Sequence, residues 1–116
     1  MSKAAKSLFF FGIYILLTGL GFLLAPNLVL GTLGFQTTAE PWIYVVGVVA
    51  LVLGYYYIQS ARHELTTFFR FTVQARGVVI LFFVALVLLK IGPLPLLVFG
   101  IVDLLGAIWT AVALRT

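Results

Sequence analysis

The sequence predicts an all-α integral membrane protein, a four-helix transmembrane bundle of antiparallel hairpins with both the N and C termini in the cytoplasm. The first observation behind this prediction is the composition, because 64% of the 116 residues are hydrophobic and only 9% are charged. A soluble domain of this size needs far more charge to cover its surface. The second observation is that the apolar stretches are long enough to cross ~30 Å of hydrocarbon. The third is that most charged residues lie at the ends of these stretches.

The first two predicted helices are separated by a short interfacial segment. An uncharged run predicts a first helix over about 7–26, which ends at Pro26. Residues 27–40 carry glycines and threonines among apolar side chains, and they are too few to cross a bilayer. This segment is therefore expected to lie on the outer membrane surface. Pro41 suits the first turn of a second helix over about 41–61.

The third predicted helix must carry polar residues into the membrane. The purely apolar run 77–89 is too short to cross a bilayer alone. The helix is therefore predicted to cover about 65–90, which draws Thr72, Gln74 and Arg76 below the membrane surface. Arg76 is then an intramembrane cation.

The fourth predicted helix covers about 93–114 and begins at the Gly92-Pro93 turn. So short a connection predicts that the third and fourth helices are antiparallel neighbours. Asp103 lies near the middle of this helix and is expected to be an intramembrane acid.

The orientation follows from the distribution of lysine and arginine, which concentrate on the cytoplasmic side of membrane proteins. One end of the helices carries only Lys90. The other end carries Lys3, Lys6, Arg62, Arg70, Arg76 and Arg115. The second end is predicted to be cytoplasmic, as in a multi-pass protein of the bacterial inner membrane.

Arg76 and Asp103 form the predicted site, an intramembrane charge pair. Counted at 1.5 Å per residue, their depths differ by about 6 Å, which an extended arginine can bridge. Asp103 shares a helical face with small residues such as Gly106 and Thr110, so it is expected to face the bundle interior. The pair is either a structural clip between two helices or part of the lining of a cytoplasm-facing cavity.

Further polar residues are predicted to line this cavity. Arranged by helix, they are Tyr14 and Thr18, then Tyr55, Tyr56, Tyr57 and Gln59, then Thr72 and Gln74, and finally Thr110. Tyrosines at such depths also anchor membrane interfaces, so each has a plain structural explanation.

Several classes of function are excluded by the composition. The chain has no cysteine and a single histidine, so neither a metal site nor a cofactor is expected. The net charge of +4 is scattered over the helix ends and does not form one patch, which argues against nucleic acid as a partner.

Four stretches carry a family resemblance. They are Leu23-Leu24-Ala25-Pro26-Asn27-Leu28-Val29-Leu30, Gly34-Phe35, Trp42 with Gly47 to Gly54, and Val102-Asp103-Leu104-Leu105-Gly106-Ala107-Ile108-Trp109. In these stretches the chain resembles uncharacterised bacterial four-helix membrane proteins of the DoxX-like kind, over most of its length and at the level of architecture. The resemblance implies the four-helix fold and carries no catalytic residue onto a position of this sequence.

The sequence favours a small binding or accessory protein with an inner-leaflet polar cavity around Arg76 and Asp103. The expected partner is a membrane lipid or lipid-like molecule, a second copy of the chain, or a helix of another membrane protein. The alternative is an oligomeric transporter or channel that uses Asp103 as its ion- or proton-coupling site. An enzyme acting on a lipid ranks last, because the chain lacks a metal set, a cysteine and a nucleophile with a plausible base.

Overall fold

The computed structural model covers residues 1–116 and contains five α-helices and no strand. The helices are α1 Lys3–Leu24, α2 Pro26–Thr32, α3 Trp42–Arg62, α4 Thr66–Leu88 and α5 Leu96–Arg115. The four long helices have 20 to 23 residues and are apolar and long enough to cross a membrane. At 1.5 Å per residue they measure roughly 30 to 35 Å. The predicted all-α class with four long apolar helices is therefore confirmed.

The segment between the first two long helices contains the short helix α2, which the sequence did not predict. Pro26 occupies its first turn, where the missing N–H costs no intrahelical hydrogen bond. Gly34 follows with a φ of +88°, a backbone conformation that glycine adopts without steric penalty. The Thr38 N–H donates to the Asn27 side-chain oxygen at 2.9 Å. This bond and the packing of Phe35 against Phe99 fix the segment on the bundle.

The long helices form two closely packed pairs, α1 with α3 and α4 with α5, and α1 also packs on α5. Glycines set the spacing of the first pair, because Gly12 lies against Gly54 and Gly19 lies against Gly47. Small residues let helix backbones approach this closely. Helix α3 has little contact with the α4–α5 pair, so a gap is left between them on one side of α1.

The two halves of the bundle differ in the chain segments at their ends. The terminal half holds both chain termini and the α3–α4 turn, and the α2 half holds α2 and the α4–α5 turn. At the terminal end, the Ser2 N–H and hydroxyl donate to the two carboxylate oxygens of Glu64 at 2.6 and 2.7 Å. These bonds hold the pKa of Glu64 below its ordinary value, so the carboxylate is ionised at neutral pH. The N-terminus of α1 is thereby tied to the α3–α4 turn.

Candidate functional site

Arg76 lies in the core of the terminal half and is only 3% exposed. Its Nε–H donates to the Thr72 carbonyl oxygen at 3.2 Å. Its Nη2 donates to the Thr72 hydroxyl at 3.1 Å and to the Thr110 hydroxyl at 2.9 Å. The Thr110 hydroxyl is also hydrogen-bonded to Ser7 at 2.7 Å. A polar network therefore connects α4, α5 and α1 inside the bundle.

Two aromatic rings enclose the same guanidinium. The Arg76 Cζ lies 4.7 Å from the ring centroid of Phe11 and 5.7 Å from that of Tyr57, both within the range of a cation–π interaction. Gly106 leaves room for this arrangement, since a Cβ there would lie 2.6 Å from the Phe11 ring and 3.0 Å from Nη1 of Arg76. The rings and Gly106 bury the cation without an acidic partner.

The terminal half is filled around this network. Arg76 Nη1 is buried and has no hydrogen-bond partner. The surrounding hydrophobic core consists of Ala4, Ala5, Leu8, Phe11, Tyr57, Ala61 and Phe69. Aromatic and aliphatic side chains therefore occupy the space around Arg76, where the sequence predicts a polar cavity.

Asp103 does not form the predicted contact with Arg76. All hydrogen bonds of the guanidinium go to Thr72 and Thr110. The reason is the direction of side chains in an α-helix, which lean toward its N-terminus. Arg76 on α4 leans into the terminal half, whereas Asp103 on α5 leans into the α2 half. The predicted depths of Arg76 and Asp103 were counted along the helix backbones, so they did not include the opposite directions of the two side chains.

Asp103 instead borders a cavity of about 500 Å³ in the α2 half. The cavity occupies the gap between α3 and α5, and α1 forms its back wall. Its lining of 17 residues is mainly hydrophobic, with Trp42 near one end of α3. The Tyr14, Thr18 and Asp103 side chains add polar groups at the end that faces the terminal half. Asp103 is half-buried and accepts no hydrogen bond from another side chain.

The predicted lining residues divide into four groups by their position. Tyr14 and Thr18 meet Asp103 at the cavity, and Thr72, Thr110 and Tyr57 meet Arg76 in the filled half. Gln59 is half-buried, and its Oε1 is buried without a partner. Tyr55, Tyr56 and Gln74 are exposed and do not line the cavity.

Ser7 and Phe11 are site residues that the sequence analysis missed. Both are buried and contact the Arg76 network. Their spacing gives a usable signal, because Ala4, Leu8 and Phe11 lie at i, i+4 and i+7 and Ser7 falls on the same helical face.

Fold and site together define a multi-pass membrane protein that has a buried arginine network in the terminal half and an apolar cavity in the α2 half. No protein-family model matches the chain, and no curated protein or solved structure is similar to it. The resemblance to DoxX-like proteins stays a prediction.

Proposed function

We propose that this chain is a membrane-embedded binding protein that holds a lipid-like molecule in the cavity of the α2 half. The observation that carries the proposal is the cavity itself, with about 500 Å³ of mainly apolar space and a few polar groups at one end. Ligand sites in proteins typically have volumes of roughly 300 to 1,000 Å³ and the same mixture of lining residues. A lipid-like molecule with an apolar alkyl chain and one polar head group matches this distribution of lining residues.

The proposal includes a membrane orientation. Lys3, Lys6, Arg62, Arg70 and Arg115 are exposed at the terminal end, and Lys90 is exposed at the other. Arg76 is buried, so it no longer counts toward this asymmetry. The remaining difference supports cytoplasmic termini, and the proposal also includes antiparallel hairpins and a bacterial inner membrane. The cavity then opens in the outer half of the bilayer, opposite to the inner-leaflet position expected from the sequence.

The filled core beyond the cavity supports binding over transport. An oligomeric transporter or channel that uses Asp103 would need a path for its substrate through each copy or between copies. Within one copy, Phe11, Tyr57 and Phe69 are buried beyond the cavity floor. A cavity that ends at these side chains is suited to retaining a molecule within the membrane.

Quenching of Trp42 fluorescence tests the proposal. The chain has two tryptophans, so Trp109→Phe leaves Trp42, at the cavity, as the single tryptophan. In phospholipid nanodiscs, 12-bromododecanol is expected to quench Trp42 with a saturable component that unbrominated dodecanol competes away. Simple partition into the bilayer instead gives quenching that rises without saturation.

A pair of neighbouring valines provides the matched control. Val49 lines the cavity and Val48 does not, while their exposed fractions are 53% and 50%. Val49→Phe is expected to weaken the saturable binding by roughly tenfold, because the added ring occupies ligand space. Val48→Phe is expected to leave it unchanged. Absence of saturable quenching, or equal effects of the two variants, contradicts the proposed function.

A further inference from the structure

We infer that the molecule bound in this cavity is a neutral lipid with a hydroxyl head group, and that its hydroxyl donates a hydrogen bond to Asp103. The inference rests on the proposed function and adds the chemical class of the ligand. It follows from the charge balance around the cavity floor and from the hydrogen-bonding groups found there.

The charge balance involves two residues. Asp103 is the single acid within the four long helices, since Glu40 and Glu64 lie outside them. Arg76 is the cation buried inside the bundle, at 3% exposure. A net charge within the hydrocarbon region is costly. An ionised Asp103 offsets Arg76 without touching it, and the two charges sum to zero.

This balance selects the head group of the ligand. An ammonium group beside Asp103 would neutralise the acid and leave the charge of Arg76 uncompensated. A carboxylate ligand would place a second negative charge against Asp103. A neutral hydroxyl adds no charge, so the pair of Arg76 and Asp103 remains balanced.

The available hydrogen-bonding groups also fit a hydroxyl. Asp103 is half-buried and has no donor from the protein, and an ionised carboxylate can only accept. Tyr14 and Thr18 place hydroxyl groups on the same end of the cavity, and the Thr18 hydroxyl donates to the Tyr14 carbonyl oxygen at 2.9 Å. A ligand hydroxyl provides one donor for Asp103 and lone pairs for a neighbouring donor.

The shape of the cavity defines where the apolar part of the ligand lies. The cavity extends from Asp103 toward Trp42, and its walls on the way include Phe99, Val46 and Phe22. Gly54 lies against Gly12 and Gly106 lies against Phe11, so Leu53 and Asp103 are at about the same level along α1. Along α3, the distance from Trp42 to that level is about 16 Å. A single alkyl chain anchored at Asp103 therefore places its terminal carbon near Trp42.

Four probes with the same chain test the head group by saturable quenching of Trp42 in the Trp109→Phe background. They are 12-bromododecanol, 12-bromododecylammonium, 12-bromododecanoate and 1-bromododecane. We expect the alcohol to bind at least roughly tenfold more tightly than each of the others, because a hydrogen bond to a charged group is among the stronger kind. Asp103→Asn is expected to reduce the advantage of the alcohol severalfold.

The outcomes separate this inference from the proposed function. If the ammonium or carboxylate probe binds as tightly as the alcohol, the inference is wrong and the binding function stands. If 1-bromododecane binds as tightly as the alcohol, the hydroxyl has no partner and the inference is equally wrong. If none of the probes gives saturable quenching, the proposed function fails. The probe comparison uses intact Asp103, so it remains decisive even if Asp103→Asn fails to fold.

Discussion

Replacement of Arg76 by alanine is expected to lower the free energy of unfolding by about 3 kcal/mol. The change removes the donors to Thr72 and Thr110, the stacking against Phe11 and the volume of a buried side chain. It also leaves Asp103 as an uncompensated charge within the bundle. Reversible unfolding in mixed detergent micelles provides the measurement.

Two further variants identify the source of this loss. Arg70 lies on the same helix but is exposed, so Arg70→Ala is expected to change the free energy of unfolding by less than about 0.5 kcal/mol. Arg76→Met fills the space without donating hydrogen bonds, and we expect it to recover about half of the loss. Equal stabilities of Arg76→Ala and Arg70→Ala would show that the buried network does not stabilise the bundle.

The second large effect is expected at the α1–α3 contact. A Cβ at Gly19 would lie 2.7 Å from the Gly47 carbonyl oxygen and 2.9 Å from the Leu51 backbone nitrogen. Backbone atoms cannot rotate away, so Gly19→Ala must push the two helices apart. We expect a loss of about 2 to 3 kcal/mol in the free energy of unfolding, at the upper end of the range for overpacked cores.

Gly77 provides the matched control for this substitution. It lies within α4, and a Cβ there would meet nothing within 4 Å. Gly77→Ala is expected to leave the stability unchanged or to raise it by up to about 1 kcal/mol, because alanine has the higher helix propensity. A loss at Gly77 as large as that at Gly19 would mean that helix contact does not explain the cost.

The long helices could be predicted from the sequence because run length and charge are local properties. The same argument places Arg76 within a predicted span, since a span through α4 needs more residues than the apolar run supplies. Its burial inside the bundle depends on helix packing. The direct contact with Asp103 did not follow. A contact depends on the direction in which each side chain leaves its helix. Arg76 leans toward the terminal half, whereas Asp103 leans toward the α2 half.

The sequence analysis also did not distinguish which tyrosine of α3 faces the bundle interior. Tyr55, Tyr56 and Tyr57 are consecutive, so they point about 100° apart and cannot all face the interior. Gly54 and Tyr57 are three residues apart and share the face that packs on α1. The glycine could therefore have selected Tyr57, whereas composition and depth treat the three tyrosines alike.

The position and the apolar lining of the cavity could not be predicted from the sequence. It exists because α3 packs on α1 and has little contact with the α4–α5 pair. No local pattern in α3 specifies a missing contact. The residues of its lining, such as Val46 and Phe99, are typical of any membrane helix.

The α2 half holds the apolar cavity, whereas the core around Arg76 is filled. Cysteine labelling tests this contrast directly, since the chain has no native cysteine. Ala50 lines the cavity, Ala107 is 3% exposed in the core, and Thr116 is exposed at the C-terminus. Single substitutions Ala50→Cys, Ala107→Cys and Thr116→Cys place one thiol at each position.

The measurement is the rate at which N-ethylmaleimide modifies each variant, followed by intact mass spectrometry. We predict that Thr116→Cys reacts fastest, because water favours the reactive thiolate and apolar surroundings disfavour it. Ala107→Cys is predicted to react at least about tenfold more slowly than Ala50→Cys, because thiol modification also requires access to the sulfur. Equal rates for Ala50→Cys and Ala107→Cys would contradict the contrast between the hollow α2 half and the filled core around Arg76.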